Sequence, residues 1–342
     1  MENVPVRRRT LLIPSLLLIL LTAGLLFWFA ETWLRIILLY LSSATWARSF
    51  VSGMPVAKKV AGRFVAGERI EDAVNASRDL NHKDMLVTLD YLGESVTNIY
   101  EAIDARDEIL RLLQVIHEEK LDANVSIKLS QIGLKLDEQL ALDSARMIAE
   151  RARQFGNKIR IDMEESEVVD ATLDIYHALR YHYGLQNVGV VIQAYLYRSE
   201  EDVRSLIGEG AWVRLCKGAY MEPPEVAFPN KLDTDRNFID LMKMLLSDEA
   251  RQNGVYLGVA THDEEMIKAT IDFTTAHHID PAEFEFQMLF GIRRSMQQSL
   301  VSQGYKMRVY VPYGTAWYPY FVRRLAERPA NLWFFISNLI RA

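Results

Sequence analysis

A lysine, a glycine and an alanine follow a short apolar segment in the second half of the chain. The segment Trp212–Cys216 is typical of a buried strand, and it ends at Lys217, Gly218 and Ala219. Glycine leaves the backbone open to a ligand, and Arg214 adds a second positive charge to that of the lysine. A strand end with two cations and an open backbone suits a phosphate or a flavin better than a hydrophobic core.

A second group of polar residues follows a helical pattern near the carboxyl terminus, in the segment 317–328. Its residues on one helical face are Tyr320, Arg323, Arg324 and Glu327. Neighbouring arginines repel each other unless an anion lies between them. The segment therefore predicts an anion-binding helix.

Composition limits the class of protein. Half of the 342 residues are hydrophobic, and about 250 residues in one domain is usual for an α/β barrel. The formal net charge of −6 argues against a nucleic-acid binder, because neutralising phosphates needs a basic surface. The chain has one cysteine, so it forms no internal disulfide, and we expect a reducing compartment.

Apolar segments rich in strand-forming residues alternate with segments of helical period. The predicted strands are 85–92, 125–129, 159–163, 188–196, 212–216, 255–260, 284–289 and 307–311. The predicted helices include 67–80, 99–118, 136–153, 166–182, 236–252 and 263–277. Eight such units predict a (β/α)8 barrel. A doubly wound sheet is the alternative, but no G-x-G-x-x-G turn follows any strand.

The amino-terminal segment differs from the rest. Residues 11–30 contain no charged side chain, and about 20 apolar residues are enough for one helix to cross a bilayer. We therefore predict a hydrophobic helix within residues 1–52 that contacts membrane lipid, followed by a catalytic domain of residues 53–342. We expect the cytoplasmic membrane with the catalytic domain facing the cytoplasm, although positive charges on both flanks leave the orientation open.

In a (β/α)8 barrel the active site lies at the carboxyl ends of the strands. The polar residues predicted there are Asp90, Lys128, Asp162, Gln193, Arg214, Lys217, Thr261, His262, Glu285, Gln287, Tyr310 and Tyr313. Almost every strand ends in a polar group, which indicates a functional rim.

Several segments, in the order of the strands, resemble the proline dehydrogenase family, in particular its bacterial single-function form. They are SIKLS at 126–130, RIDMEES at 160–166, VIQAYL at 191–196, RLCKGAY at 214–220, ATHD at 260–263, FEFQMLFG at 284–291 and VYVPYGTAWYPYFVRRLAERP at 309–329. The resemblance extends over roughly residues 64–335 and does not include the first ~50 residues.

This resemblance implies a distorted barrel that holds FAD and oxidises L-proline to 1-pyrroline-5-carboxylate, with a membrane quinone as electron acceptor. It implies catalytic roles for Asp162 and Arg214. The substrate-binding residues that it implies are Lys128, Leu215, Tyr310, Tyr320, Arg323, Arg324 and Glu327. The arginines fit this role because a guanidinium pairs with a carboxylate through two parallel hydrogen bonds.

The cofactor contacts implied by the resemblance come from five strand ends. They are Met163, Gln193, Arg214, Lys217, Gly218, Ala219, Thr261, His262, Glu285 and Gln287. No metal is expected. A flavin performs the hydride chemistry itself, so the protein has to orient the substrate against it.

Three other functions are compatible with parts of the pattern. A Schiff-base aldolase would use Lys128 or Lys217 as its nucleophile, but it leaves the paired arginines unexplained. Metal-dependent hydrolysis would use His262 with nearby carboxylates, but no H-x-H or H-E-x-x-H motif is present. A membrane-anchored barrel without catalysis would not need polar groups at all eight strand ends.

Overall fold

Eight parallel strands close into a barrel, in sequence order, in the computed structural model, which describes residues 61–93 and 96–326. The strands are β1 Leu86–Tyr91, β2 Ala123–Ile127, β3 Ile159–Ile161, β4 Val188–Gln193, β5 Trp212–Cys216, β6 Tyr256–Ala260, β7 Phe284–Leu289 and β8 Met307–Tyr313. Each lies within or overlaps a predicted strand. The prediction of a (β/α)8 barrel is confirmed.

Helices connect the strands. They are α1 Ile70–Asn81, α2 Ile99–Glu118, α3 Glu138–Gln154, α4 Val169–His177, α5 Ser199–Gly208, α6 Lys231–Leu245, α7 Asp248–Gln252, α8 Glu264–Ala276, α9 Arg294–Ser302 and α10 Trp317–Ala326. Short 3-10 turns at Ser166–Val168 and Pro281–Glu283, and a π-helical segment at Ala178–His182, complete the connections.

Helix α2 illustrates how sequence determines these elements. Asn98 accepts a hydrogen bond from the Glu101 backbone N–H and so caps the first turn. Ala105, Ile109 and Leu112 recur at helical spacing and are buried, which gives the helix one apolar face for the barrel.

Several element boundaries differ from the prediction. Strand β2 ends at Ile127, so that Lys128 lies just beyond it, and β4 ends at Gln193. The helix predicted for residues 236–252 is two helices, α6 and α7, because Ser247 accepts a hydrogen bond from the Ala250 N–H and starts a new helix. Helices α5 and α9 were not predicted.

The inside of the barrel is polar. On β8 the apolar residues Met307, Val309 and Val311 are fully buried and alternate with Arg308 and Tyr310. Successive side chains of a strand face opposite sides, so the polar set of each strand occupies the interior. Barrel interiors are usually filled by branched apolar side chains, and this departure indicates a functional interior.

The chain divides into two units by its internal contacts. Gly62–Trp317 contains the barrel, and the other unit contains Met1–Ala61 and Tyr318–Ala342. Within residues 61–93 and 96–326, no helix combines the length and the apolar character needed to cross a membrane. The predicted hydrophobic helix and the boundary at residue 52 lie outside the described residues and stay predictions.

Candidate active site

Arg214, on β5, lies at the centre of a buried polar cluster. Its Nη1 donates to Asp162 Oδ1 at 2.6 Å and to Ser126 Oγ at 3.1 Å, and its Nε donates to Gln287 Oε1 at 2.5 Å. These partners come from β2, β7 and the residue after β3, none of which neighbours β5 in the sheet. The contacts therefore cross the interior of the barrel.

Asp162 is the acceptor that joins this cluster together. It also receives hydrogen bonds from Ser126 Oγ at 3.0 Å and from the Tyr310 hydroxyl at 2.6 Å. Burial opposes ionisation of this carboxyl group, but the charges of Arg214 and Lys128 outweigh it and hold the pKa of Asp162 below its ordinary value. The side chain is therefore a buried carboxylate.

Lys128 supplies a second cation, which lies nearer the other carboxylate oxygen of Asp162. Its Nζ lies 2.9 Å from Asp90 Oδ1, 3.5 Å from Asp162 Oδ2 and 3.2 Å from the Tyr310 hydroxyl. Burial and the carboxylates of Asp162 and Asp90 raise the pKa of Tyr310 well above its ordinary value. The phenol therefore keeps its proton and donates a hydrogen bond to Asp162. The cluster holds two cations and two carboxylates in fixed positions.

Two partnerless atoms point to a bound molecule. Gln193, the last residue of β4, donates through Nε2 to the carbonyl oxygens of Met163 and Glu164 at 3.0 and 2.9 Å. Its Oε1 is buried without a hydrogen-bond partner in the described structure, and so is Nη2 of Arg214 on the adjacent strand. Buried polar atoms are rarely left without a partner, so a ligand that offers both a donor and an acceptor fits here.

The loop after β5 is held by close packing and ion pairs. Gly218 has a φ of +114°, and a Cβ atom there would lie 2.3 Å from the Tyr195 ring, so only glycine fits. Lys217 Nζ donates to Asp263 Oδ2 at 2.7 Å and also binds Asp235. Its Nζ is engaged by two carboxylates, whereas an aldolase nucleophile has to reach the carbonyl carbon of its substrate.

Thr261 and His262 follow β6 at the same end of the barrel. His262 Nε2 accepts a hydrogen bond from the Leu289 N–H at 2.9 Å, which leaves the proton of the neutral ring on Nδ1. Thr261 Oγ1 accepts from the Asp263 N–H at 3.0 Å. Among the residues that the structure describes, no three His, Cys, Asp or Glu side chains are grouped so as to hold a metal ion.

Other predicted site residues lie outside the group formed by Arg214, Asp162, Lys128 and Tyr310. Leu215 faces away from Arg214 by strand alternation and packs in the hydrophobic core. Cys216 is half-buried, and burial raises the pKa of its thiol to about 12, so little of the reactive thiolate forms at neutral pH. Glu285 and Gln287 lie in the barrel interior, where Gln287 contacts Arg214. Their roles towards a cofactor stay predictions.

The helix predicted for residues 317–328 is present as α10, and its binding of an anion stays a prediction. Its residues from Tyr318 onward belong to the second unit. Within that unit, the Arg324 guanidinium lies 5.1 Å from the centre of the Tyr320 ring, one turn away, a distance at which a cation and an aromatic face attract. Glu327 lies outside the described residues.

Three residues of the site were missed by the sequence reasoning: Ser126, Arg308 and Gly258. The signal that could have found Ser126 and Arg308 is the two-residue period of their strands. Ser126 is two residues before Lys128, and Arg308 is two residues before Tyr310, so each faces the same side as a residue that was predicted.

The pKa of Asp263 allows a test of the ion pair with Lys217 that holds the loop after β5. Burial opposes its ionisation, but the hydrogen bond from Lys217 lowers the pKa of Asp263 to about 2. A lowered pKa stabilises the fold above the unfolded value of about 3.9, and this stabilisation is lost as the pH falls. We expect Asp263→Asn to lower the urea midpoint at neutral pH, with a deficit that shrinks between about pH 4 and pH 2.

The matched control is Asp137→Asn. Asp137 caps α3, as Asp263 caps α8, but it forms no ion pair in the described structure. An Asp263→Asn deficit of the same size at every pH would show that the ion pair with Lys217 contributes nothing.

A family model and two similar proteins that match this chain carry the same description. The family model described as proline dehydrogenase matches residues 73–336. "Proline dehydrogenase 1" of Bacillus subtilis subsp. natto is 44% identical over 281 residues, which cover 82% of this chain and 91% of that protein. "Proline dehydrogenase" of Deinococcus radiodurans is 41% identical over 285 residues, with coverages of 82% and 90%.

Solved structures show the same barrel. The crystal structure of proline utilization A (PutA) from Bdellovibrio bacteriovorus, inactivated by N-propargylglycine, superposes with a TM-score of 0.75 at 27% sequence identity. The match covers 79% of this chain and 33% of the PutA chain, so this chain corresponds to about a third of that protein.

Proposed function

The chain belongs to the proline dehydrogenase family, and from this premise we propose that it oxidises L-proline to 1-pyrroline-5-carboxylate with FAD as its cofactor. The observation that carries the proposal is the buried cluster of Arg214, Asp162, Lys128 and Tyr310 at the carboxyl ends of the strands. In this fold the active site usually lies at the carboxyl ends of the strands, which is where this fixed set of charges lies.

The residues present fit a flavin. An isoalloxazine ring system carries both an N–H donor and several acceptors, which match the partnerless Gln193 Oε1 and Arg214 Nη2. The residues that would hold FAD are Met163, Gln193, Lys217, Gly218, Ala219, Thr261 and His262. When bound, FAD supplies the acceptor for the hydride that leaves the substrate carbon.

Arg214 supplies a positive charge that is already in place before the substrate arrives. Asp162 and Ser126 hold its guanidinium through Nη1, and Gln287 holds it through Nε. A preorganised charge needs no rearrangement during the reaction, which is why such charges contribute strongly to catalysis. Asp162 and Tyr310 in turn fix the positions of Arg214 and Lys128.

Substrate recognition is proposed for the cations of two elements. Arg323 and Arg324 of α10 would bind the carboxylate of proline as a two-pronged pair, with Lys128 as a further cation. Tyr310 and Tyr320 would contact the proline ring, and Glu327 would hold Arg323 in its rotamer. Proline loses a hydride only when its amine is unprotonated, so we expect the rate to rise with pH.

Incubation with L-proline and a soluble quinone tests the proposed reaction. The product, 1-pyrroline-5-carboxylate, is trapped with o-aminobenzaldehyde as a coloured adduct. We expect the adduct to form with L-proline and not with D-proline. Formation of a borohydride-trapped adduct between the protein and a keto acid, without this product, would favour the aldolase.

Gln193→Leu tests the cofactor contact. Leucine removes the buried amide and its unused acceptor, and a hydrogen bond in a buried site contributes about 1–3 kcal/mol once its partner is left unsatisfied. We expect the FAD dissociation constant to rise about 10-fold to 100-fold by fluorescence titration of the flavin-free protein. Gln114→Leu, on α2, is the control, since Gln114 binds only Glu118 in the described structure. Equal flavin affinity in both variants would exclude the contact.

We further propose that electrons pass to a membrane quinone and that the protein lies on the cytoplasmic membrane with its catalytic domain in the cytoplasm. This rests on the apolar residues 11–30, whose length suits a bilayer. A chain that lacks residues 1–52 is expected to keep dye-linked proline oxidation and to leave the membrane fraction. A truncated chain that still sediments with membranes would show that another segment is the anchor.

A further inference from the structure

The inward-facing side chains of the barrel leave a gap beside Arg214, where β6 carries a glycine. In the strand register Arg214 pairs with Gly258, and Gly258 pairs with Glu285, so the three residues form a row across β5, β6 and β7. Glycine has no side chain, and a space therefore opens between the arginine and the glutamate. Gln287 fills it, because a Cβ atom on Gly258 would lie 2.3 Å from Gln287 Nε2 and 2.8 Å from its Cδ.

Gln287 joins the two charged residues by the two ends of its amide. Its Oε1 accepts from Arg214 Nε at 2.5 Å, and its Nε2 donates to Glu285 Oε1 at 2.6 Å. Arg214 can only donate, and an ionised glutamate can only accept. The amide therefore has one orientation that satisfies both partners, and reversing it would place two donors together and two acceptors together.

Glu285 is itself held as a carboxylate. Burial opposes its ionisation, but Arg308, and then Arg160, outweigh burial and keep the pKa of Glu285 below its ordinary value. Arg308 Nε donates to Glu285 Oε1 at 2.7 Å, and Arg308 Nη1 donates to the Val87 carbonyl at 2.8 Å. The chain of contacts thus begins at the β1 backbone and ends at Arg214 Nε.

We propose that Glu285 and Gly258 are positioning residues for Arg214, acting through the amide of Gln287. Glu285 sets the orientation of the amide, and Gly258 provides the space in which it lies. The orientation of the guanidinium within the polar cluster depends on this contact, because its Nε donor has Gln287 as its acceptor. The catalytic part of the proposal rests on the proposed function, whereas the effect on Arg214 does not.

Two variants break this arrangement in different ways. In Glu285→Gln the new amide can both donate and accept, so Gln287 is free to reverse and to present its NH2 group to Arg214. In Gly258→Ala the added methyl group displaces Gln287 Nε2. The control is Thr88→Val, which removes a buried 2.6 Å hydrogen bond to Asn124 inside the same barrel without contact to this row.

A third variant restores the pattern of hydrogen-bond donors and acceptors, with the negative charge moved from residue 285 to residue 287. In Glu285→Gln combined with Gln287→Glu, the new carboxylate accepts from Arg214 Nε, and the new amide donates to that carboxylate and accepts from Arg308 Nε. Net charge and the three hydrogen bonds that link Arg214, the two exchanged residues and Arg308 are the same as in the wild type. The Tyr256 hydroxyl, which donates to Glu285 Oε2 at 3.4 Å in the wild type, can accept from the new amide instead. A residue with a purely structural role would not require this particular exchange.

The experiment measures solvent exchange of the Arg214 Nε–H by NMR on the protein as purified, labelled with 15N-arginine, with the resonance assigned by Arg214→Lys. We expect exchange to be at least about tenfold faster in Glu285→Gln and Gly258→Ala, as for a lost hydrogen bond to a charged group. We expect kcat per bound flavin to fall by about tenfold or more in both. Thr88→Val should resemble the wild type, and the exchange variant should recover the slow exchange of the wild type.

Exchange rates that stay at the wild-type value in both Glu285→Gln and Gly258→Ala would overturn the inference, and so would an exchange variant that does not recover the slow exchange. If Glu285→Gln does not fold, Gly258→Ala alone decides the outcome. Because the exchange rate is measured without substrate, the two proposals fail separately. A wild type that does not oxidise proline contradicts the proposed function, whereas an active wild type with an insensitive Arg214 contradicts only this inference.

Discussion

Replacing Arg214 by methionine is expected to lower the free energy of unfolding by about 3–5 kcal/mol, because it leaves a buried carboxylate without its main partner. Asp162 would keep Lys128 at 3.5 Å but would lose the 2.6 Å contact with the guanidinium. We also expect kcat/KM for proline to fall at least about 100-fold, since a preorganised charge is removed from the site. Urea unfolding and steady-state kinetics measure the two effects.

The loss of stability should depend on pH with a definite sign. In the wild type the lowered pKa of Asp162 contributes stability above the unfolded value, and this contribution is lost as the pH falls. Without Arg214 the carboxyl group is less acidic, so the difference between wild type and variant should be largest near neutral pH. It should shrink below about pH 4, where the carboxyl group of the unfolded chain is protonated.

A double variant separates stability from catalysis. Arg214→Met with Asp162→Asn removes the uncompensated charge together with its partner, so we expect much of the lost stability to return. Activity should stay low, because the positive charge is still absent. If the double variant is no more stable than Arg214→Met alone, the buried ion pair is not the cause of the loss.

Replacing Arg324 by lysine is expected to raise the KM for proline about 100-fold while FAD stays bound. Lysine is a point charge and cannot make the two parallel hydrogen bonds that a guanidinium makes with a carboxylate. It would also lose part of the contact between the Arg324 guanidinium and the Tyr320 ring at 5.1 Å. Steady-state kinetics with the flavin content measured for each preparation test this expectation.

The control for this variant is Arg236→Lys, an exposed arginine on α6 that forms a 3.5 Å ion pair with Asp233. An exposed pair of this kind contributes little, so KM should not change. If KM is also unchanged in Arg324→Lys, Arg324 does not bind the carboxylate of the substrate.

The sequence was sufficient for the order and type of the strands, because each strand is an apolar segment bounded by turn residues. It also pointed to Arg214, Asp162 and Lys128, since polar residues at strand ends stand out against apolar surroundings. Patterns of this kind are local, and a local pattern can be read without knowing which strands pair.

The contacts between these residues could not be predicted in the same way. The 2.6 Å contact between Arg214 and Asp162 joins residues 52 positions apart, and it depends on how far each strand is shifted against the next. The role of Gly258 depends on its register with Arg214 and Glu285, which the sequence does not reveal. The break between α6 and α7 was missed because a single capping serine ends the helical pattern there.

Anaerobic addition of L-proline to the purified, flavin-loaded protein is the most direct test of the proposed chemistry. The flavin absorbance near ~450 nm should bleach when proline is added and should return when a quinone is supplied. A protein that binds no flavin even when FAD is provided, or a bound flavin that stays oxidised in excess proline, would contradict the proposed function.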